Sequence, residues 1–200
     1  MSLRTTIMTG VEEAWEGRYQ RGETGWDRRG INPLLNSWMA ASLTTGASVL
    51  IPGCGHGYEV IELARLGFHV TGIDIAPTPV ARMKRELEIE GLSAEVIQID
   101  MFAFSPESLF DAVYEQTSLC AIQPEQREAY ENRLYEWIKP GGSLFALFMQ
   151  TGVEGGPPFH CDVNAMKELF VPSRWAWRDE SQHSPHPSGR HELGYQLVRR

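Results

Sequence analysis

The stretch Val49–Gly57, which is VLIPGCGHG, decides the fold because it places three glycines between a strand pattern and a helix pattern. Val49–Ile51 is a short apolar run that stops at Pro52, and Tyr58–Leu66 carries apolar residues at helical spacing. A glycine-rich turn lets a ligand approach the backbone, and the N–H groups at a helix N-terminus attract an anion. We expect a ligand site at this turn, although such a turn also occurs without a ligand.

The alternation of strand and helix patterns continues along the chain. Strands are predicted at Phe68–Ile75, Ala94–Ile99, Asp111–Tyr114 and Ser143–Met149, and helices at 78–90, from Pro124 and at Asp162–Phe170, while Trp175–Asp179 and Leu193–Val198 are expected to close the sheet. Such alternation is typical of a parallel sheet with right-handed crossovers. We therefore predict an α/β fold, a doubly wound, mostly parallel, seven-stranded Rossmann-like sheet with an N-terminal helical lid.

Three local features refine this prediction. Thr78 and Pro79 fit an N-cap followed by proline in the first helical turn. Lys139–Gly142, which is KPGG, predicts a turn before the last parallel strand. The cluster of Pro, Ser and Gly at Ser184–Gly189 predicts a surface loop.

Length and charge bound the function. The 200 residues predict one domain, with residues 1–45 as the lid segment and 46–200 as the Rossmann-like core. The 18 basic and 26 acidic residues give a net charge of −8, which argues against binding to nucleic acid or anionic lipid. The apolar runs are too short for a membrane span. We expect a cytoplasmic protein, and a chain of this size can be stable as a monomer.

Cysteine and histidine usage argues against a metal. The three cysteines, Cys54, Cys120 and Cys161, are widely spaced and form no CxxC pair, which is consistent with a reducing compartment. The six histidines form no HxxxH or HExxH pattern, so no metal is predicted. Cys54 and Cys120 are interpreted as small buried apolar residues rather than covalent nucleophiles.

Two carboxylates point to a nucleoside pocket. Asp74 and Asp100 end two successive predicted strands, beside the glycine-rich turn. A carboxylate in the position of Asp74 can accept both hydroxyls of a ribose, and Asp100 with the apolar Met101 and Phe102 can hold a base. A nicotinamide dinucleotide and S-adenosylmethionine both fit this pattern, but the turn lacks the G-x-G-x-x-G spacing of dinucleotide sites.

The G-x-G-x-G turn with this pair of carboxylates resembles that of class I S-adenosylmethionine-dependent methyltransferases. Further segments narrow the resemblance to the thiopurine S-methyltransferase superfamily, nearest its halide/thiol methyltransferase branch. These segments are Trp15–Tyr19 (WEGRY), Gly25–Asp27 (GWD), Ile51–Gly57, Tyr114–Pro124 and Gly155–Phe159 (GGPPF). They lie in the family's order between Trp15 and Phe170. The resemblance implies S-adenosylmethionine as the cofactor and a small thiol or another soft nucleophile as the acceptor.

The resemblance also implies cofactor-binding residues. They are Trp15, Tyr19, Trp26, Gly53, Cys54, Gly55, Asp74, Ile75, Asp100, Met101, Phe102 and Gln116. The family usually has Trp at the position of Tyr19 and Pro at the position of Gly25, so the entry loop of this chain departs from the pattern. Some halide-methylating members have an aromatic residue in place of Gln116, which favours a thiol over a halide here.

The acceptor side is less constrained by the sequence. Asp27 is the first candidate for a proton acceptor, although it also fits a helix cap or an ion pair with a neighbouring arginine, and His56 and His160 are alternatives. Phe159 and Arg190 are predicted to contact the substrate. An O- or N-methyltransferase of another small molecule, and a non-catalytic S-adenosylmethionine-binding protein, remain alternatives.

Overall fold

The computed structural model describes residues 10–200, and at positions 179 and 180 it describes the backbone alone. Residues 1–9 of the predicted lid lie outside the described residues. Seven strands are present in this part of the chain: β1 (Ser48–Pro52), β2 (His69–Asp74), β3 (Glu95–Gln98), β4 (Phe110–Gln116), β5 (Ile138–Gln150), β6 (Trp175–Pro185) and β7 (His191–Arg199). The helices are α1 (Gly10–Arg21), α2 (Leu35–Ser42), α3 (Tyr58–Arg65), α4 (Pro77–Glu90), α5 (Arg127–Trp137) and α6 (Val163–Leu169).

The strands form one mixed sheet. Their order is β3-β2-β1-β4-β5-β7-β6. The first five of these are parallel, and β7 lies antiparallel to both β5 and β6. The chain therefore winds outward from β1 to one edge and then from β4 to the other, which confirms the predicted doubly wound, mostly parallel sheet.

Helices cover both faces of the sheet, and each face has its own apolar core. Residues of α2, α3 and α4 pack with Val49 and Ile51 on one face. Residues of α5 and α6 pack with Leu50 and Ile73 on the other. Because side chains alternate along a strand, Val49, Leu50 and Ile51 supply both cores in turn. A strand buried on both faces reads as a continuous apolar run, which is why β1 and β5 could be recognised in the sequence.

The turn between β1 and α3 depends on its glycines. Gly53, Gly55 and Gly57 have φ angles of +58°, +53° and +76°, in the left-handed region that a side chain disfavours. A Cβ at Gly57 would lie 2.2 Å from the sulfur of Met83 on α4. The third glycine is therefore required both by the backbone conformation and by the packing of the two helices.

Three boundaries differ from the sequence prediction. The N-cap of α4 is Ala76 with Pro77 following, so the helix begins before Thr78. The KPGG segment, predicted to form a turn before the strand, lies within β5, because β5 already begins at Ile138. The pairing of β5 with β4 shifts register there. Strand β6 continues through Pro185, and Ser184 is fully buried, so the predicted surface loop begins later than expected.

The N-terminal segment joins the core through specific contacts. The carboxylate of Glu16 on α1 accepts hydrogen bonds from the Thr78 backbone N–H at 2.9 Å and from its hydroxyl at 2.5 Å, at the start of α4. Trp38 on α2 stacks on Phe145 of β5, with ring centroids 5.5 Å apart. Helix α1 therefore sits at the carboxyl end of the parallel strands, whereas α2 packs on the face of the sheet.

Within residues 10–200, none of the helices combines the length and the apolar character needed to cross a membrane.

Candidate active site

A cavity of about 320 Å³ lies at the carboxyl ends of β1, β2 and β4. One wall comes from α1 and the loop after it, and a second comes from the glycine-rich turn. The segment after β4 and the turn between β6 and β7 complete the cavity. Ligands of open α/β sheets bind at this end of the strands. The fold thus brings segments from both ends of the sequence to one site.

The cavity gathers most of the residues that the sequence singled out. It is lined by Trp15, Tyr19, Trp26, Asp27, Gly53, Cys54, Gly55, Asp74, Ile75, Met101, Gln116 and Arg190. Asp100, Phe102, Phe159 and His160 do not line it. All four residues lie in loops, the first two after β3 and the last two after β5. The strand pattern does not specify the course of these loops.

An aromatic wall closes the cavity on the side of α1. The ring of Trp26 meets those of Trp15 and Tyr19 edge to face, with centroids 5.4 and 5.5 Å apart. Tyr19 also meets the His56 ring at 5.3 Å, and its hydroxyl would lie 3.1 Å from a Cβ at Gly55. The absence of a side chain at position 55 therefore lets the wall rest directly on the glycine-rich turn.

Asp74 is buried at the end of β2 and holds the glycine-rich turn. One carboxylate oxygen accepts the Gly55 N–H at 2.8 Å, and the other accepts the Ala76 N–H at 2.9 Å. Burial raises the pKa of this carboxyl, and the backbone N–H groups lower it. Each carboxylate oxygen has a second acceptor position, so Asp74 can still accept a ligand hydroxyl.

The second predicted carboxylate has a different place. Asp100 is exposed, and its side chain accepts the Phe102 N–H at 2.9 Å within a tight turn after β3. Phe102 packs against Tyr130 of α5, with ring centroids 6.2 Å apart. Met101, which lies between them, is the member of this segment that reaches the cavity.

The Gly155–Phe159 segment contributes to the cavity through its prolines. Pro157 and Pro158 line the cavity, whereas Phe159 lies in a separate surface depression with Pro124 and His160. The Phe159 N–H donates to the Cys120 carbonyl at 2.7 Å, which fixes the segment beside the cavity. The sequence predicts a substrate contact from Phe159 in this segment, whereas Pro157 and Pro158 are the residues that line the cavity.

Asp27 and His56 form a polar pair inside the cavity. A carboxylate oxygen of Asp27 lies 3.6 Å from Nε2 of His56, and the other accepts the Arg29 N–H at 2.7 Å. Burial lowers the pKa of His56, and the nearby Arg82 lowers it further, while Asp27 acts in the opposite direction. His56 is therefore predominantly neutral near pH 7, so this pair can accept a proton.

A buried polar network, which sequence reasoning missed, lies behind this pair. Arg28 donates to Glu192 at 2.5 Å and to the Pro185 carbonyl at 2.6 Å. Asn32 donates its side-chain amide to Glu192 at 3.3 Å and its backbone N–H to Glu59 at 3.0 Å. The network joins the loop after α1 to α3 and to the β6–β7 hairpin. The available signal was a charged residue within an apolar pattern, as at Glu59 and Glu192.

The charges of this network are strongly perturbed. Burial raises the pKa of Glu192 to about 7, although Arg28 lowers it. Burial also raises the pKa of Glu59. The pKa of His186, at the rim of the cavity, falls to about 4 because of burial and the nearby Arg28. One guanidinium thus faces two buried carboxyls and an uncharged imidazole.

The end of β4 packs against the glycine-rich turn. Thr117 has a φ of +63°, which is rare for a β-branched residue and is stabilised by the surrounding structure. The Ser118 hydroxyl donates to the Pro52 carbonyl at 2.9 Å. A Cβ at Gly53 would lie 2.3 Å from that hydroxyl oxygen. The two loops therefore form a cradle that only glycine permits at position 53.

The three cysteines are free and buried. Cys54 and Cys120 line the cavity, and burial raises the pKa of both thiols well above the ordinary value. Because the thiolate is the reactive form, these thiols are poor nucleophiles. No group of three or more His, Cys, Asp or Glu side chains within residues 10–200 could hold a metal ion.

The cavity therefore combines a glycine-rich turn, a strand-end carboxylate and an aromatic wall contributed by the N-terminal segment. A family model described as thiopurine S-methyltransferase matches residues 11–195. The chain belongs to this family. It is an S-adenosylmethionine-dependent methyltransferase, as the resemblance of its motifs implied.

Individual relatives agree with this assignment to the thiopurine S-methyltransferase family. Thiocyanate methyltransferase 1 of Arabidopsis thaliana is 32% identical over 202 residues, covering 96% of this chain and 88% of the relative. Thiopurine S-methyltransferase of Gluconobacter oxydans is 31% identical over 173 residues, covering 78% of this chain and 79% of the relative. Among solved structures, a 1,6-didemethyltoxoflavin-N1-methyltransferase of Burkholderia thailandensis has a TM-score of 0.78 at 18% identity, covering 94% and 87%. This last likeness supports the fold.

Proposed function

We propose that this methyltransferase transfers a methyl group to the sulfur of a small thiol. The observation that carries the proposal is one small cavity that joins the cofactor turn to an apolar acceptor end. Its volume of about 320 Å³ is near the lower limit of ligand sites, which range from roughly 300 to 1,000 Å³. A cavity of this size excludes a large acceptor when the cofactor is bound.

The residues of the cofactor end fit S-adenosylmethionine. Gly53 and Gly55 present backbone without side chains to the cavity, and Asp74 keeps acceptor positions for the ribose hydroxyls. Met101 and Ile75 offer apolar contact for the adenine. Trp26 and the other two rings of the aromatic wall would face the sulfonium, which aromatic faces attract by about 0.5–2 kcal/mol.

The acceptor end suits a soft, weakly hydrated nucleophile. We assign to this end five apolar residues of the cavity lining, which are Ala121, Ile122, Met149, Pro157 and Pro158. Arg190 lies at its rim and forms no ion pair with any residue in the described part of the chain. The two relatives are named for thiocyanate and thiopurine, which are sulfur acceptors. These observations favour sulfur over the oxygen or nitrogen of a polar acceptor.

The chemistry requires little base catalysis. The bound cofactor supplies an electrophilic methyl group. The acceptor sulfur forms a bond to the methyl carbon while the bond between that carbon and the cofactor sulfur breaks. The electron pair of the broken bond stays with the cofactor sulfur. A thiol with a pKa near 8.5 is already a few per cent thiolate at pH 7. Asp27, directly or through water and assisted by His56, takes the proton from the remaining thiol.

Transfer of label from S-adenosylmethionine to a panel of acceptors tests the proposal. The panel contains benzenethiol, hydrogen sulfide, iodide, selenite and a thiopurine, with a phenol and an aniline as oxygen and nitrogen controls. We expect a methylated thiol as the main product. The Asp74→Ala variant serves as a matched control because it lacks the proposed ribose contact. Transfer to the phenol or the aniline, with none to sulfur, would contradict the proposal.

Asp27→Asn separates positioning from proton transfer. We expect a loss of about tenfold in kcat at pH 6.5 to 7, because general-base assistance is small for a thiol. The loss should shrink above the pKa of the acceptor thiol, where the thiolate is already formed. A loss that stays equal at every pH would assign Asp27 to structure alone.

A further inference from the structure

Tyr114 and Gln116 form a hydrogen-bonded pair on β4. They lie two residues apart, so their side chains project from the same face of the strand. The Tyr114 hydroxyl donates to Oε1 of Gln116 at 2.8 Å. Tyr114 is fully buried and Gln116 is half-buried, and both are among the residues that line the cavity. A buried residue therefore contacts one end of an amide whose side chain reaches the acceptor.

The proton of Tyr114 has a single acceptor among the described residues. Burial raises the pKa of this phenol well above its ordinary value, and the nearby Glu59 and Glu192 raise it further, so it stays protonated. Neither carboxyl takes its hydrogen bond, and Oε1 of Glu192 has no hydrogen-bond partner in residues 10–200. If the amide of Gln116 were turned over, the buried phenol would have no acceptor. The carbonyl end of the amide therefore faces Tyr114.

The other end of the amide faces the cavity. Nε2 of Gln116 makes no hydrogen bond with any residue in the described part of the chain, and it is not a buried atom. The backbone at this point is fixed, since Gln116 pairs with Leu147 of β5 and the left-handed Thr117 follows it. The strand thus presents two N–H donors at a fixed position beside the glycine-rich turn.

Resting on the proposed function, we propose that Tyr114 is a positioning residue that turns the N–H end of Gln116 toward an anionic acceptor. The acceptor class is a thiolate or a small soft anion. An N–H group stabilises the anion and raises the thiolate fraction of a bound thiol.

This hydrogen bond contributes to binding rather than to the rate of the bound complex. The bond forms when the acceptor binds and persists while the acceptor attacks, so it stabilises the bound complex and the transition state to a similar degree. An interaction of this kind lowers the KM of the acceptor without raising kcat. Tyr114 therefore sets acceptor affinity through Gln116, whose amide it orients.

The Tyr114→Phe variant tests this role with benzenethiol as the acceptor. We expect the KM for benzenethiol to rise about tenfold, the effect of losing one hydrogen bond to an anion. We expect kcat at saturating benzenethiol and the KM for S-adenosylmethionine to stay within twofold. Tyr135→Phe is the matched control, because it loses a hydrogen bond to the Arg200 carbonyl on the far side of α5.

A double-mutant cycle distinguishes positioning from general damage. Gln116→Leu should raise the KM for benzenethiol at least as much as Tyr114→Phe, and the double variant should add nothing further. Unchanged KM in Tyr114→Phe, a fall confined to kcat, or additive effects in the double variant would each overturn the inference.

Calorimetry provides a readout that needs no turnover. Thiocyanate is titrated into wild type and Tyr114→Phe, each saturated with S-adenosylhomocysteine. Weaker binding by the variant, by about tenfold, supports the inference, and equal binding overturns it. This result does not depend on methyl transfer to benzenethiol, so failure of the inference and failure of the proposed function are distinguishable.

Discussion

Replacing Gly53 with alanine perturbs the cradle between the glycine-rich turn and the end of β4. At a φ of +58°, an alanine costs about 1–2 kcal/mol relative to its preferred backbone region. Its Cβ would lie 2.3 Å from the Ser118 hydroxyl oxygen, which must move and lose its hydrogen bond to the Pro52 carbonyl. That loss costs about 1 kcal/mol, which brings the total to about 2–3 kcal/mol.

The matched control is Gly22→Ala. Gly22 has a φ of +67°, but a Cβ there would meet no atom within 4 Å, so the variant reports the backbone cost alone. Ser118→Ala should cost about 1 kcal/mol, because it removes the same hydrogen bond. The double variant at positions 53 and 118 should then be no less stable than Gly53→Ala. The four free energies of unfolding are measured by urea denaturation, followed by fluorescence.

Two results would refute this reasoning. Gly53→Ala could cost no more than Gly22→Ala, in which case the cradle yields without loss. Alternatively, the costs of the substitutions at positions 53 and 118 could be additive, so that the two residues act independently. The expected coupling of about 1 kcal/mol is larger than the usual error of additivity for separate sites, which is about 0.3–0.5 kcal/mol.

Three further outcomes are expected. Asp74→Ala should weaken S-adenosylmethionine binding by about 1–3 kcal/mol in calorimetry, and unchanged affinity would remove the ribose role. Trp26→Leu should weaken the sulfonium cofactor more than neutral S-adenosylhomocysteine, by up to about 2 kcal/mol, and an equal loss of both would count against the cation–π contact. Burial raises the pKa of Glu115 from 4.5 to about 8, so the folded state holds a proton that the unfolded state releases. Stability should therefore fall as pH rises from 4.5 to 8, and Glu115→Gln should make that fall smaller in urea denaturation at pH 5, 7 and 9.

The parts of the fold that sequence reasoning found share a local physical signal. The β1 strand is buried on both faces, and it therefore reads as an unbroken apolar run. The turn after it needs a left-handed backbone at Gly53, Gly55 and Gly57, which glycine alone adopts readily. Where chain conformation is dictated within a few residues, the pattern predicts both the element and its ligand site.

The parts that it missed depend on distant contacts. Ser184 lies in a segment of turn-forming residues, yet it is buried, and its hydroxyl donates a hydrogen bond to the Asn32 side chain. Phe159 and the prolines before it belong to one loop, and only the packing of that loop decides which side chain enters the cavity. The position of Asp100 likewise follows from a turn that it caps itself. Such contacts join residues that are distant in the sequence, and the periodicity of a local segment does not predict them.

The link between Arg28 and Glu192 has a consequence for the order of biosynthesis. The two residues are 164 positions apart, and the loop after α1 is anchored to the core through this pair. During translation the aromatic wall can be made early, but its anchor emerges only with the final hairpin. A growing chain therefore lacks this anchor of the loop after α1 for most of its synthesis, although Glu16 can already contact Thr78 at the start of α4.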